Sequence, residues 1–115
     1  MKCLIFVLND VRKLSKLLHE WQHNGITGAT IINSTGMAKA LFANNDEFII
    51  GSLRHLLDND REENKTLFVL LHEDKVNKAI EVIESIVGDL HQPNTGLVFT
   101  LDVGSFKGSS FIGEE

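Results

Sequence analysis

The chain has no tyrosine, one proline and one cysteine among its 115 residues. A lone Cys3 excludes an intrachain disulfide and fits a reducing compartment, so a cytoplasmic location is expected. The one proline, Pro93, leaves the rest of the chain without the ring that interrupts helices and strand ladders. The longest apolar run, Cys3 to Leu8, is six residues. A membrane helix needs roughly 20, so no direct membrane insertion is expected. Lys2 leads straight into that run, with no pattern of a signal peptide. Basic residues are outnumbered, 11 Lys and Arg against 16 Asp and Glu, for a net charge of −5. Without a clustered basic patch, a nucleic-acid surface is not expected. No nucleophile elbow, Walker loop or zinc-hydrolase helix is present, so no enzyme activity is expected.

What is present is enough for one domain spanning 1–115, with 43% hydrophobic residues and a mean hydropathy of −0.01. A chain of this length buries roughly two-thirds of its unfolded surface. Residues 3–8 are apolar at odd and even positions alike, the pattern of a strand covered on both faces. Asn9 or Asp10 is placed to cap a helix in which Val11, Leu14, Leu17, Leu18 and Trp21 share one face. Asn24-Gly25 ends it. A second strand is expected from Ile26 to about Asn33, and a third at residues 66–71. Glu73 and Asp74 then open a helix with Val76, Ala79, Ile80, Ile83, Ile86 and Val87 on one face and Gly88 as its stop. A turn cluster at residues 91–96 precedes a fourth strand at 97–103, and the tail, 104–115, is expected to be flexible.

The stretch Gly25-Ile26-Thr27-Gly28-Ala29-Thr30-Ile31-Ile32-Asn33-Ser34-Thr35-Gly36 is the centre of this arrangement. A β-branched strand normally avoids glycine. Gly28 therefore points to a close approach of a ligand or another backbone, or to a bulge or a tight helix-strand crossing.

The order β-α-β, an insertion at about 35–65, then β-α-β predicts an α+β, ferredoxin-like β-α-β-β-α-β sandwich with a four-stranded antiparallel sheet and a long, partly helical insertion between strands 2 and 3. Two helices cover one face of such a sheet. The other, apolar by the strand patterns, requires a cover: a second copy of the chain, or the insertion folded back. Within the insertion Phe48, Ile49, Leu53 and Leu56 recur at helical spacing. They complete the chain's own core or form a docking helix for another protein.

With that order, Gly25-Ile26-Thr27-Gly28-x-Thr30 resembles the second strand of the PII signalling proteins, with Gly36 at the base of their long T-loop. Residues 96–103, GLVFTLDV, resemble the strand after their B-loop. The resemblance runs over residues 1–103 as an order of elements and fails in the insertion and tail. It implies a homotrimeric signal-transduction protein that binds a small effector between subunits. The effector would be an adenine nucleotide, AMP, ADP, ATP or cyclic AMP. The 35–65 segment would then regulate a partner such as a membrane transporter or metabolic enzyme. Carried across, the resemblance places Thr27, Gly28 and Thr30 along the adenine, Leu71 against the base, Gly36 and Lys39 at the T-loop base, and Asn94, Thr95 and Gly96 in the B-loop. This chain departs from the family where phosphate is held. The B-loop lysine is Leu97, the two late arginines fall in the region of Gly108 and Ser110, and only Lys107 is basic nearby. Each lost charge-assisted contact lowers the expected affinity for ATP by about 1.5–3 kcal/mol, which favours a less charged ligand. The absent tyrosine excludes the tyrosine modification known on some T-loops.

Two other readings compete. His19 and His23 stand at i and i+4 on the first helix, a metal-binding spacing. The related CutA trimers have been linked to metals, so a CutA-like metal-binding trimer is the first alternative. The bland reading is imidazoles complementing the helix C-terminus. The second alternative is an effectorless interaction module. Cys3, inside an apolar strand, is expected to be a buried, inert thiol.

Overall fold

In the computed structural model the chain orders as β1 (Lys2–Leu8), a 3-10 turn (Val11–Lys13), α1 (Leu14–His23), β2 (Thr30–Ser34), α2 (Met37–Ala43), β3 (Asn64–Leu71), α3 (Glu73–Val87) and β4 (Gly96–Asp102). The structure describes residues 1–43 and 64–108. The expected insertion helix with Phe48, Ile49, Leu53 and Leu56, and the tail from 109 onward, lie outside the described residues.

β1 pairs antiparallel with β3 and β4, and β3 with β2, in the order β2-β3-β1-β4. The fold is the ferredoxin-like α+β sandwich that the element order predicts. Strand periodicity divides β1 cleanly. Leu4, Phe6 and Leu8 are buried under the helices, and Cys3, Ile5 and Val7 point the other way, half-buried. Leu67, Val69 and Leu71 of β3 join the first set. Above them Leu17 and Trp21 of α1 and Ala79, Val82 and Ile83 of α3 close the core. Val82, three residues after Ala79 and four before Ile86, is buried on the same helix face and was missing from the set expected for it. The Trp21 indole N–H donates to the Ala79 carbonyl at 3.2 Å, so the largest buried side chain satisfies its polar edge and ties α1 to α3. Among the described residues no buried side-chain nitrogen or oxygen lacks a hydrogen-bond partner.

The helix ends follow their residue types. Ile26 N–H donates to the Trp21 carbonyl at 2.8 Å and Gly25 N–H to that of Gln22 at 3.1 Å, a Schellman closure with Gly25 at φ 78°. The second strand therefore starts later than expected. Ile26 is consumed as the apolar residue that seals the helix end, and residues 26–29 run to the sheet without pairing. Gly28 is neither a bulge nor a crossing. Its φ is 82° and a Cβ there would meet nothing within 4 Å, so it serves a left-handed link into β2. α2, at the start of the insertion, is an element not expected from the sequence. Cys3 is half-buried on the face away from the helices, not sealed in a core.

That far face is apolar. Ile32, Phe68, Leu97, Phe99 and Leu101 retain 46%, 39%, 59%, 42% and 53% exposure. The register, with Ile5 opposite Phe68 and Phe99 and with Ile32 opposite Thr66, puts all five on one surface. Four strands about 4.8 Å apart and some 20 Å long present on the order of 300 Å² in projection. Among the described residues, nothing covers it as α1 and α3 cover the other face. No helix among the described residues is long and apolar enough to cross a membrane.

Candidate functional site

The end of β1, the end of β2, and the starts of β3 and β4 meet at one edge of the sandwich. Asp10, just past β1, caps the following turn. Its Oδ1 accepts from the Arg12 backbone N–H at 3.1 Å. The Arg12 guanidinium returns to the same carboxylate, Nε to Oδ1 at 2.9 Å and Nη2 to Oδ2 at 3.1 Å. These hydrogen bonds hold the Asp10 carboxyl below the usual aspartate range and raise the Arg12 guanidinium. At the same edge Gly36 precedes α2, with its carbonyl accepting from the Ala40 N–H at 3.1 Å. Asn94 adopts φ 64°, a conformation that asparagine tolerates, in the turn before β4.

Between these elements lies a cleft of about 760 Å³. Gly36, Lys39 and Asn94, three of the residues singled out by the resemblance, line it together. Asn9, Asp10, Arg12 and Asn64 line it as well. Sequence reasoning assigned those four no ligand role. The signal available was the Asn9-Asp10 cap with an arginine two residues on, which reads as helix chemistry alone. The walls are thus rich in amides, and the charges on them are Asp10, Arg12 and Lys39.

Thr27, Gly28 and Thr30 do not share this cleft. They border a separate hollow of about 280 Å³ with Cys3, Phe68 and Leu70, at the opposite end of β2. Four residues of the antiparallel edge strand, 31–34, separate the two hollows.

Three others singled out by the resemblance have structural roles in the single chain. Leu71 is 4% exposed and belongs to the core under the helices. The Thr95 hydroxyl donates to the Gln92 carbonyl at 2.9 Å, which closes the turn from within. Gly96 is required by space: a Cβ there would sit 2.5 Å from the Val7 carbonyl and 2.7 Å from the Phe6 ring. His19 and His23 stand exposed on α1. Among the described residues no three His, Cys, Asp or Glu side chains come close enough to hold a metal.

No protein-family model matches the chain, and no curated protein matches it. Among solved structures, it is similar to a functionally unknown protein from Pediococcus pentosaceus ATCC 25745, at 16% identity and a TM-score of 0.61. The match covers 94% of this chain and 96% of that one. At that identity the likeness is one of fold, and it extends over nearly the whole of both chains.

Proposed function

We propose that the protein is a PII-like signal transducer, a homotrimer that binds a small effector between subunits and regulates a partner protein through the 35–65 segment. The observation that supports this is the apolar sheet face. A surface of Ile32, Phe68, Leu97, Phe99 and Leu101 is costly in water, at about 25 cal/mol for each Å² left exposed. A second and third copy of the same face cover it. Assembly also accounts for the divided site. The cleft at Gly36, Lys39 and Asn94 and the hollow at Thr27, Gly28 and Thr30 lie apart within one chain. Apposed across a subunit boundary, they make one effector site, an adenine nucleotide being the first class to test. Binding rather than catalysis is the role. The partner, a transporter or metabolic enzyme, reads the effector state through the insertion.

Sedimentation at micromolar concentration tests the assembly. The expected mass is three times the 12.8 kDa of a single chain. A Phe99→Glu, Leu101→Lys variant should fall to one chain and stay folded, because both side chains lie on the surface opposite the core. A wild-type protein that sediments as a folded single chain overturns the proposal. Calorimetry against AMP, ADP, ATP, cyclic AMP and bicarbonate tests the effector, and silence from all of them removes it.

A further inference from the structure

The solvent side of α1 carries a feature that neither the cleft nor the sheet face uses. His19-Glu20-Trp21-Gln22-His23 has the H-E-x-x-H order of zinc-binding helices. The expectation that no zinc-hydrolase helix is present therefore fails for the pattern itself, and the whole pattern lies within α1 (Leu14–His23). Residues four apart on a helix stand one above the other, so the two histidines share one side of it. Trp21, two residues from each, points the opposite way into the core at 1% exposure, and its indole N–H on the Ala79 carbonyl fixes how the helix is turned. His19, Glu20 and His23 are all exposed. Neither imidazole takes part in a hydrogen bond or ion pair with another described residue. The last turn is held by the closure at its end: Asn24 N–H donates to the Glu20 and Trp21 carbonyls at 3.2 and 3.0 Å, and Gly25 N–H to that of Gln22 at 3.1 Å. The pair thus sits on a rigid turn. The Glu20 carboxylate and the negative end of the helix dipole both favour a cation beside it.

We propose that His19 and His23 form a surface site for a borderline divalent cation, zinc being the first to test. Imidazole nitrogen suits zinc, copper and nickel. Among the described residues no group of three His, Cys, Asp or Glu is placed to hold a metal, so the site has two protein ligands and the other positions of a tetrahedral zinc go to water. The helix carries the metal-holding part of the hydrolase pattern without its third ligand, and neither histidine lines the cleft or the hollow. The role is binding. The metal staples the last turn of α1, directly before the 26–29 link that runs past Thr27 and Gly28 into β2. This site stands apart from the effector reading and does not rest on it.

The experiment is calorimetric titration of the untagged protein with zinc and with cobalt(II), for wild type, His19→Ala, His23→Ala and His23→Cys. Wild type should take up one metal per chain. Each alanine variant should lose at least about tenfold in affinity, since even the outer partners of a metal ligand are worth about 10–100-fold. His23→Cys places a thiolate ligand at the same position and should keep binding. The wild-type melting midpoint should rise by roughly 10 °C at a zinc concentration about 100 times the dissociation constant, and return on adding a chelator. The midpoints of the alanine variants should not move with zinc. Both side chains lie on the surface, so the variants keep the fold, with circular dichroism as the check. No uptake of either metal by wild type, or equal affinity in wild type and either alanine variant, overturns the proposal. Imidazolium complementing the helix end predicts only a metal-independent loss of stability in the alanine variants, and that result alone overturns it too. Effector binding and assembly are read by separate measurements and stand or fall without this site.

Discussion

Replacing Gly96 with alanine should be among the most damaging single-methyl changes available to this chain. Gly96 opens β4 opposite Leu8 with φ 144°, in the region that side chains avoid. The added Cβ would meet the Val7 carbonyl at 2.5 Å and the Phe6 ring at 2.7 Å. The first of these is backbone of the central strand and has no rotamer to change. Backbone strain of this kind costs about 1–3 kcal/mol, and forcing a methyl into a filled site costs a further 1–3 kcal/mol or so. Loss of unfolded-state freedom at a glycine returns roughly 0.4–1 kcal/mol. The net is about 3 kcal/mol, a large share of the roughly 5–15 kcal/mol that holds a domain together. For a chain of this size it lowers the midpoint by on the order of 12 °C. Gly28→Ala is the internal control: φ is 82° but the space is open, so only the strain applies, about 1 kcal/mol net. Both variants should be melted beside wild type at one protomer concentration, since assembly makes the midpoint concentration-dependent, with circular dichroism as the signal. A Gly96→Ala protein no less stable than Gly28→Ala would refute the argument that the Val7 carbonyl dictates this glycine.

Trp21, 1% exposed and the one tryptophan in the chain, should emit as a buried indole and resist iodide quenching. Trp21→Phe forfeits the bond to the Ala79 carbonyl and some volume, and should cost about 1–3 kcal/mol by urea denaturation. Asp10 and Asp102 are both held below the usual aspartate range, the first by hydrogen bonds from Arg12 and the second by its hydrogen bond with Lys2. In each case the folded value is the lower one. Their contribution is therefore complete above the unfolded value of about 3.9 and is lost as pH falls through the folded value. Stability should decline below about pH 4, and less steeply in high salt because both pairs are exposed. Cys3 reports on the open face: a thiol reagent should label it slowly in the assembled protein and faster in Phe99→Glu, Leu101→Lys. Equal rates would mean that the copies do not meet there.

The order of strands and helices was readable from residue types because it rests on local rules. Period-two and 3-4 spacing marked β1, α1, β3 and α3, Asp10 marked a helix start, and Gly25 and Gly88 marked helix ends with left-handed backbone. The apolar second face was readable too, since odd and even positions of β1 are equally hydrophobic. The start of β2 was not readable, because Ile26 has the type of a strand residue and its use as the seal of a helix end depends on Trp21 lying beneath it. The same holds for the site. The resemblance grouped Thr27, Gly28 and Thr30 with Gly36 and Lys39, but an extended edge strand carries its two ends to opposite sides of the sandwich. What Leu71 and Gly96 meet in the single chain, a helical layer for the one and the Val7 carbonyl for the other, was likewise not readable from residue type. Residue type sets which conformations a segment tolerates. Which side chains then face one another across the cleft, with Asp10 and Arg12 beside Asn94, depends on contacts between distant strands, and only the folded chain brings those together.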